Sequence, residues 1–214
     1  MELHCNKVSL GEVLIIVYQQ FSLISGFWRY CFTKPNVHVL IIGLDYAGKT
    51  TTLERIKSKF GSNHHPIPPD KIPPTIGMNL AKINYSGTQV IIWDLGGQIK
   101  MRNMWERYYD DANAIVFVVD SVDIGRLEEA KLAYEAILDH ESVSNVPVLI
   151  FANKQDLAGA LSPGDLAINF FSLQDSADRS SIYPISALTG EGIVPAVIAV
   201  IKEAKDNAKT IMDS

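Results

Sequence analysis

One stretch constrains this chain more than any other: Gly43-Leu44-Asp45-Tyr46-Ala47-Gly48-Lys49-Thr50, which carries the spacing G-x-x-x-x-G-K-[ST]. The run before it, Val37 to Ile42 (VHVLII), is short and apolar, as a strand buried in a parallel sheet requires. The run after it, Thr51 to Phe60, reads as a helix. A strand, a glycine-containing loop and a helix in that order aim loop N–H groups and a helix N-terminus at one point, and that point attracts an anion. The backbone of Asp45, Tyr46, Ala47, Gly48, Lys49, Thr50 and Thr51 is then placed to cradle phosphate oxygens. The Lys49 ammonium can reach β- and γ-phosphates, and the Thr50 hydroxyl can ligate Mg²⁺.

The remaining pattern fits around this unit. Met78 to Tyr85 alternates apolar and polar residues, Ser86-Gly87 makes a turn, and Gln89 to Trp93 returns as a second strand. Strands are expected at Ala114–Val119, Val146–Ala152 and Ile182–Ile185, and helices at Arg126–His140, Pro163–Phe171 and Ile193–Ala204. This alternation predicts an α/β fold with a mostly parallel six-stranded sheet, one antiparallel edge strand, and helices on both faces. The expected layout is an N-terminal extension over residues 1–36, the nucleotide-binding domain over 37–206 and a C-terminal tail over 207–214. Residues 61–74, rich in Gly and Pro, read as a long flexible loop. Its His64 and His65 have no Cys or carboxylate at ligand spacing, so they are not read as a metal site. A net charge of −5 with scattered Lys and Arg argues against nucleic acid as a partner. The two cysteines, Cys5 and Cys31, make no disulfide framework and suit a reducing, cytosolic setting.

Four further elements fall at strand ends. In Trp93-Asp94-Leu95-Gly96-Gly97-Gln98, Asp94 is placed to hold Mg²⁺ through a water, and Gly97 to offer its N–H to a γ-phosphate. Gln98 can orient a water for in-line attack. In Pro74-Thr75-Ile76-Gly77, Thr75 can add a second hydroxyl to Mg²⁺ when a γ-phosphate is present. In Asn153-Lys154-Gln155-Asp156, the Asp156 carboxylate can accept hydrogen bonds from N1–H and the 2-amino group of guanine, which adenine lacks. In Ser186-Ala187-Leu188, a backbone N–H can meet guanine O6.

These five elements, in this order, resemble those of Ras-like small GTPases, and their form (GLDxAGKT, PTIG, WDLGGQ, NKQD) is similar to the Arf and Arf-like branch. The similarity spans about residues 21 to 205. The stretch Phe21–Phe32, the long loop between Phe60 and Thr75, and Ser186-Ala187-Leu188-Thr189-Gly190 look like the Golgi Arf-related subgroup. The resemblance implies a GTP/GDP switch with Mg²⁺ that hydrolyses GTP slowly until an activating protein helps. It also implies an exchange factor, effectors, a monomeric state, and peripheral attachment to Golgi or trans-Golgi membranes in vesicle traffic. A GTP-dependent scaffold with negligible hydrolysis is the alternative, and Gln98 speaks for hydrolysis. In such proteins the hairpin between the switch segments slides by two residues on binding GTP and expels the N-terminal helix. The aromatic triad read by effectors corresponds to Met78, Trp93 and Tyr108, with Met78 where phenylalanine is usual.

Before the first strand the pattern leaves alternatives open. No charged side chain occurs from Val13 through Trp28. An interfacial helix laying Phe21, Phe27, Trp28 and Phe32 into a membrane surface is the leading reading. A helix packed on the domain and a short spanning helix or signal are the others. Glu2 excludes myristoylation of a second-position glycine in the chain as written. Tyr46 departs from the Asn usual in the phosphate loop and could shield the nucleotide. No motif places an arginine to act on the leaving phosphate in cis.

Overall fold

A computed structural model describes residues 36–61, 64–170 and 182–213. The strand–loop–helix unit forms as its pattern requires: β1 spans Asn36–Ile42 and α1 spans Lys49–Phe60, entering its first turn two residues before the expected start. In β1 the side chains of Val37, Val39 and Ile41 enter one core layer and those of Leu40 and Ile42 enter the other. That is why the strand is apolar on both faces from Val39 onward.

The hairpin follows, with β2 over Met78–Tyr85 and β3 over Thr88–Leu95. Its two-residue turn has positive φ at both Ser86 (48°) and Gly87 (77°), the type I′ geometry that suits the twist of paired strands. Next come α2 (Ile99–Arg102), β4 (Ala114–Asp120), α3 (Leu127–Leu138), β5 (Val148–Asn153), α4 (Pro163–Phe170), β6 (Ile182–Pro184) and α5 (Ile193–Asp213). The sheet order is β2-β3-β1-β4-β5-β6, and only β2 runs antiparallel to its neighbour. One core layer packs Leu53 and Ile56 of α1 and Val197, Val200 and Ile201 of α5 on the sheet. The other packs Trp105, Tyr134, Ile137, Leu166 and Phe170 on the opposite face.

Three expectations change. The last helix runs to Asp213, so residues 207–213, read from the sequence as a tail, are its final turns. A short helix at Ile99–Arg102 and a 3-10 turn at Trp105–Tyr108 were not foreseen, being too short for any periodicity to show. The loop after α1 is pinned where it is described: His64 Nε2 lies 2.8 Å from Glu54 Oε2, and the Ile67 N–H donates to the same oxygen at 3.3 Å. Glu54 is buried, which pushes its carboxyl pKa up. Hydrogen bonds from Lys57 and His64 outweigh this and leave the pKa below the usual value. The expected N-terminal helix, with Phe21, Phe27, Trp28 and Phe32, lies outside the described residues. Among the described residues no helix is long and apolar enough to cross a membrane.

Candidate functional site

The C-terminal ends of β1, β3, β4 and β5 bring the motif residues to one edge of the sheet, where open parallel sheets bind ligands. The phosphate loop leads into α1 with Gly48 at the N-cap, no side-chain cap and no acidic residue in the first turn. The first N–H groups of this helix therefore have no side-chain acceptor, an arrangement that favours a bound anion. A cavity of about 310 Å³ opens here, lined by Asp45, Tyr46, Gly48, Lys49, Thr50 and Thr51 on one side and by Pro69, Ile72, Pro73, Pro74 and Thr75 on the other. Gly97, Gln98 and Lys154 complete it.

Lys49 is buried, and its Nζ donates to the Leu44 carbonyl at 2.7 Å, which holds it curled back over the loop. Burial pulls its pKa down to about 8, with Asp94 and Asp45 resisting the shift. Three oxygens meet beside it. The Thr50 hydroxyl donates to Asp94 Oδ2 at 2.7 Å, and Thr75 Oγ1 lies 2.7 Å from Thr50 Oγ1 and 3.5 Å from Asp94 Oδ2. Asp94 is fully buried, its other oxygen Oδ1 has no hydrogen-bond partner, and burial pushes its pKa up. Two hydroxyls and a buried carboxylate with a spare oxygen form a hard-oxygen donor set that fits Mg²⁺.

Gly97 explains how the loop after β3 comes so close to the phosphate loop. A Cβ there would sit 2.4 Å from the Gly43 carbonyl oxygen and 2.5 Å from the Asp45 nitrogen, so only a glycine lets this backbone lie on the phosphate loop. Tyr46 carries a strained left-handed φ of 62° and is 72% exposed at the cavity wall.

The base end is assembled differently. Asn153 is buried and fully engaged: its Nδ2 donates to the Ala47 carbonyl at 2.8 Å, and its Oδ1 accepts from the Ala187 N–H at 2.9 Å. It thus ties the phosphate loop to the 186–188 loop. Ser186 Oγ donates to Asp156 Oδ1 at 2.5 Å and accepts from the Thr189 N–H at 3.0 Å, so the carboxylate is oriented while its residue stays exposed. Lys154, at φ 69°, pairs with Asp120 at 2.5 Å. Asp156, Ser186, Ala187 and Leu188 do not line the phosphate cavity; Lys154 is the link between the two ends.

Trp93 and Tyr108 come together, ring centroids 5.5 Å apart, and the His38 ring lies 4.6 Å from that of Trp93. Met78 is exposed on the same hairpin face but pairs with Leu95. The residue opposite Trp93 is Leu80, also exposed, so the patch is wider than the sequence suggested.

Sequence reasoning missed four contributors. Asn79, opposite Asp94 in the hairpin register, donates to Asp94 Oδ2 at 2.9 Å and to Thr75 Oγ1 at 3.2 Å; the two-residue turn could have revealed this pairing. Arg126 reaches the phosphate loop at Asp45 Oδ1 (3.0 Å), and Arg102 donates to the Gly97 carbonyl at 3.1 Å and to Glu129 at 2.6 Å. Both arginines are committed to protein acceptors and lie outside the cavity lining. Arg55, on α1, bonds to the 186–188 loop.

Comparison with known proteins gives the same lineage. The model of the ADP-ribosylation factor family matches residues 24–204. Human ADP-ribosylation factor-related protein 1 is 36% identical over 184 residues, covering 85% of this chain and 92% of that protein. ADP-ribosylation factor-like protein 3 of Saccharomyces cerevisiae is 37% identical over 193 residues, covering 89% and 96%. The structure of the Arl6 BBS3 small GTPase from Trypanosoma brucei, with bound nucleotide analogue GppNp, superposes with a TM-score of 0.67 at 30% identity, covering 80% of this chain and 99% of that one. The chain belongs to the ADP-ribosylation factor family and is a small GTPase, a GTP hydrolase that acts as a guanine-nucleotide switch.

Proposed function

We propose that this GTPase times the attachment of effectors to Golgi or trans-Golgi membranes in vesicle traffic, working as a monomer on a membrane surface through its N-terminal helix. The observation that carries the switch is the meeting of Thr50, Thr75 and Asp94. Thr75 lies between the pinned loop and the movable hairpin, so its presence at the site reports the position of β2. A two-residue slide of β2 would carry it about 7 Å away while leaving every side chain on its own face.

In this reading the N–H groups from Asp45 to Thr51 and the Lys49 ammonium hold the phosphates. Asp156 reads the guanine N1–H and 2-amino edge, the Ser186-Ala187-Leu188 loop meets O6, and Asn153 and Lys154 hold these parts in place. Thr50, Thr75 and Asp94 would hold Mg²⁺, whose charge would offset that gathering on the phosphates. Gly97 donates its N–H to the γ-phosphate, and Gln98, at the cavity wall, orients the attacking water. Arg102 and Arg126 are both engaged elsewhere, which supports slow intrinsic hydrolysis and dependence on an activating protein. Met78, Leu80, Trp93 and Tyr108 form the effector surface.

Single-turnover hydrolysis with an activating protein tests this reading. Gln98→Leu should retain GTP and slow turnover by about a hundredfold or more. Equal rates for the variant and the parent would remove Gln98 from the chemistry.

A further inference from the structure

The peptide unit is planar, and in its trans form the C=O and N–H point in opposite directions. Fixing a carbonyl therefore fixes the next residue's N–H. Arg55 does this at two successive peptides: its Nε donates to the Ala187 carbonyl at 3.1 Å, and its Nη2 donates to the Leu188 carbonyl. These contacts span more than a hundred residues of sequence and join α1, whose N-terminus faces the phosphates, to the loop beside Asp156.

The local geometry is built around this contact. Gly190, at φ +88°, leaves room for the arginine stem; a Cβ there would lie 3.2 Å from Arg55 Cδ. The Ala187 N–H is already taken by Asn153 Oδ1, and the Thr189 N–H by Ser186 Oγ. Between them stands the Leu188 N–H, in the peptide whose carbonyl Arg55 Nε holds.

We propose that Arg55 is a positioning residue for base recognition. By holding the Ala187 and Leu188 carbonyls on the α1 side, it turns the Leu188 N–H to the opposite side, where it donates to a 6-oxo group of the purine. The planar guanidinium fork can hold two neighbouring carbonyls at once, which the single ammonium of a lysine does with less geometric control. The same link couples the two ends of the site: nucleotide that orders α1 at its phosphates also orders the loop that reads its base. This inference rests on the guanine-nucleotide reading above.

The test measures dissociation of GDP and 6-thio-GDP, whose sulfur is the weaker acceptor, from the full-length protein and from Arg55→Ala and Arg55→Lys. Arg55→Ala should release GDP about tenfold faster, the loss expected for a charge-assisted hydrogen-bond pair. It should release 6-thio-GDP little faster than the parent does, so that discrimination at position 6 shrinks. Arg55→Lys should fall between. Thermal unfolding of the GDP-bound proteins separates general damage from positioning. Equal acceleration for both nucleotides, or none for either, would overturn the proposal while leaving the GTPase reading in place. A parent protein with no preference for guanine over adenine nucleotides would instead overturn the reading on which it rests.

Discussion

The phosphate cavity and the proposed base site beside it are built on opposite plans. At the phosphate end, the contiguous segment Asp45 to Thr51 forms one wall of the cavity, and two charged groups there, Lys49 and Asp94, are buried. At the base end the proposed reading groups, Asp156 and Leu188, are exposed, and their positions depend on cross-ties from Asn153, Ser186 and Arg55. Anionic phosphates can compensate the buried Lys49 ammonium, and a divalent cation the buried Asp94 carboxylate, so the protein can hold both charges buried in advance. A purine edge is neutral and is told apart by hydrogen-bond direction, so orientation matters there more than charge.

This contrast can be broken one end at a time. The largest effect is expected at the base end: Asp156→Asn should cut the preference for guanine over xanthine nucleotides by about a thousandfold. Triphosphate contacts should be unaffected, and competition binding with the two nucleotides checks this. Asn153→Ala should damage both ends together, because it leaves the Ala47 carbonyl and the Ala187 N–H without their partner. A loss of roughly 2–4 kcal/mol in unfolding free energy is expected from two buried groups left unpaired. Chemical denaturation measures it.

At the phosphate end, pH is the lever. In the nucleotide-free protein the Lys49 pKa is about 8, and bound phosphates favour its charged form and raise that value. Binding therefore takes up a proton above pH 8, and affinity should fall by up to about tenfold per pH unit there. Calorimetry in buffers of different ionisation enthalpy should show that uptake, and Lys49→Met should abolish it. The smallest effect is expected from Tyr46→Asn, which relieves an aromatic residue held at positive φ. Stability should rise by about 0.5–1 kcal/mol, read from thermal unfolding with GDP bound.

The same contrast explains what could be read from the sequence. The phosphate loop, Asp94, Thr75 and Gln98 are visible because each sits at a strand end in a fixed short pattern, and the strands themselves announce their burial. The hairpin was visible from its Ser86-Gly87 turn, and with it, in principle, the pairing of Asn79 with Asp94. The bonds from Arg55 to Ala187 and Leu188 and from Arg126 to Asp45 were not, because no local pattern links residues so far apart and only the packed sheet brings them together. The extra turns of α5 were hidden by their polar composition, Lys205, Asp206, Asn207 and Lys209, which reads as a solvated tail when its apolar face is short.

The central proposal is that Thr75 holds the metal only when a γ-phosphate is present. The most direct test is the rate at which GDP and a non-hydrolysable GTP analogue leave the parent protein and Thr75→Ala, each with and without Mg²⁺. The variant should lose most of the Mg²⁺-dependent retention of the triphosphate and keep that of GDP unchanged. Equal loss for both nucleotides, or none for either, would contradict the claim that this threonine senses the third phosphate.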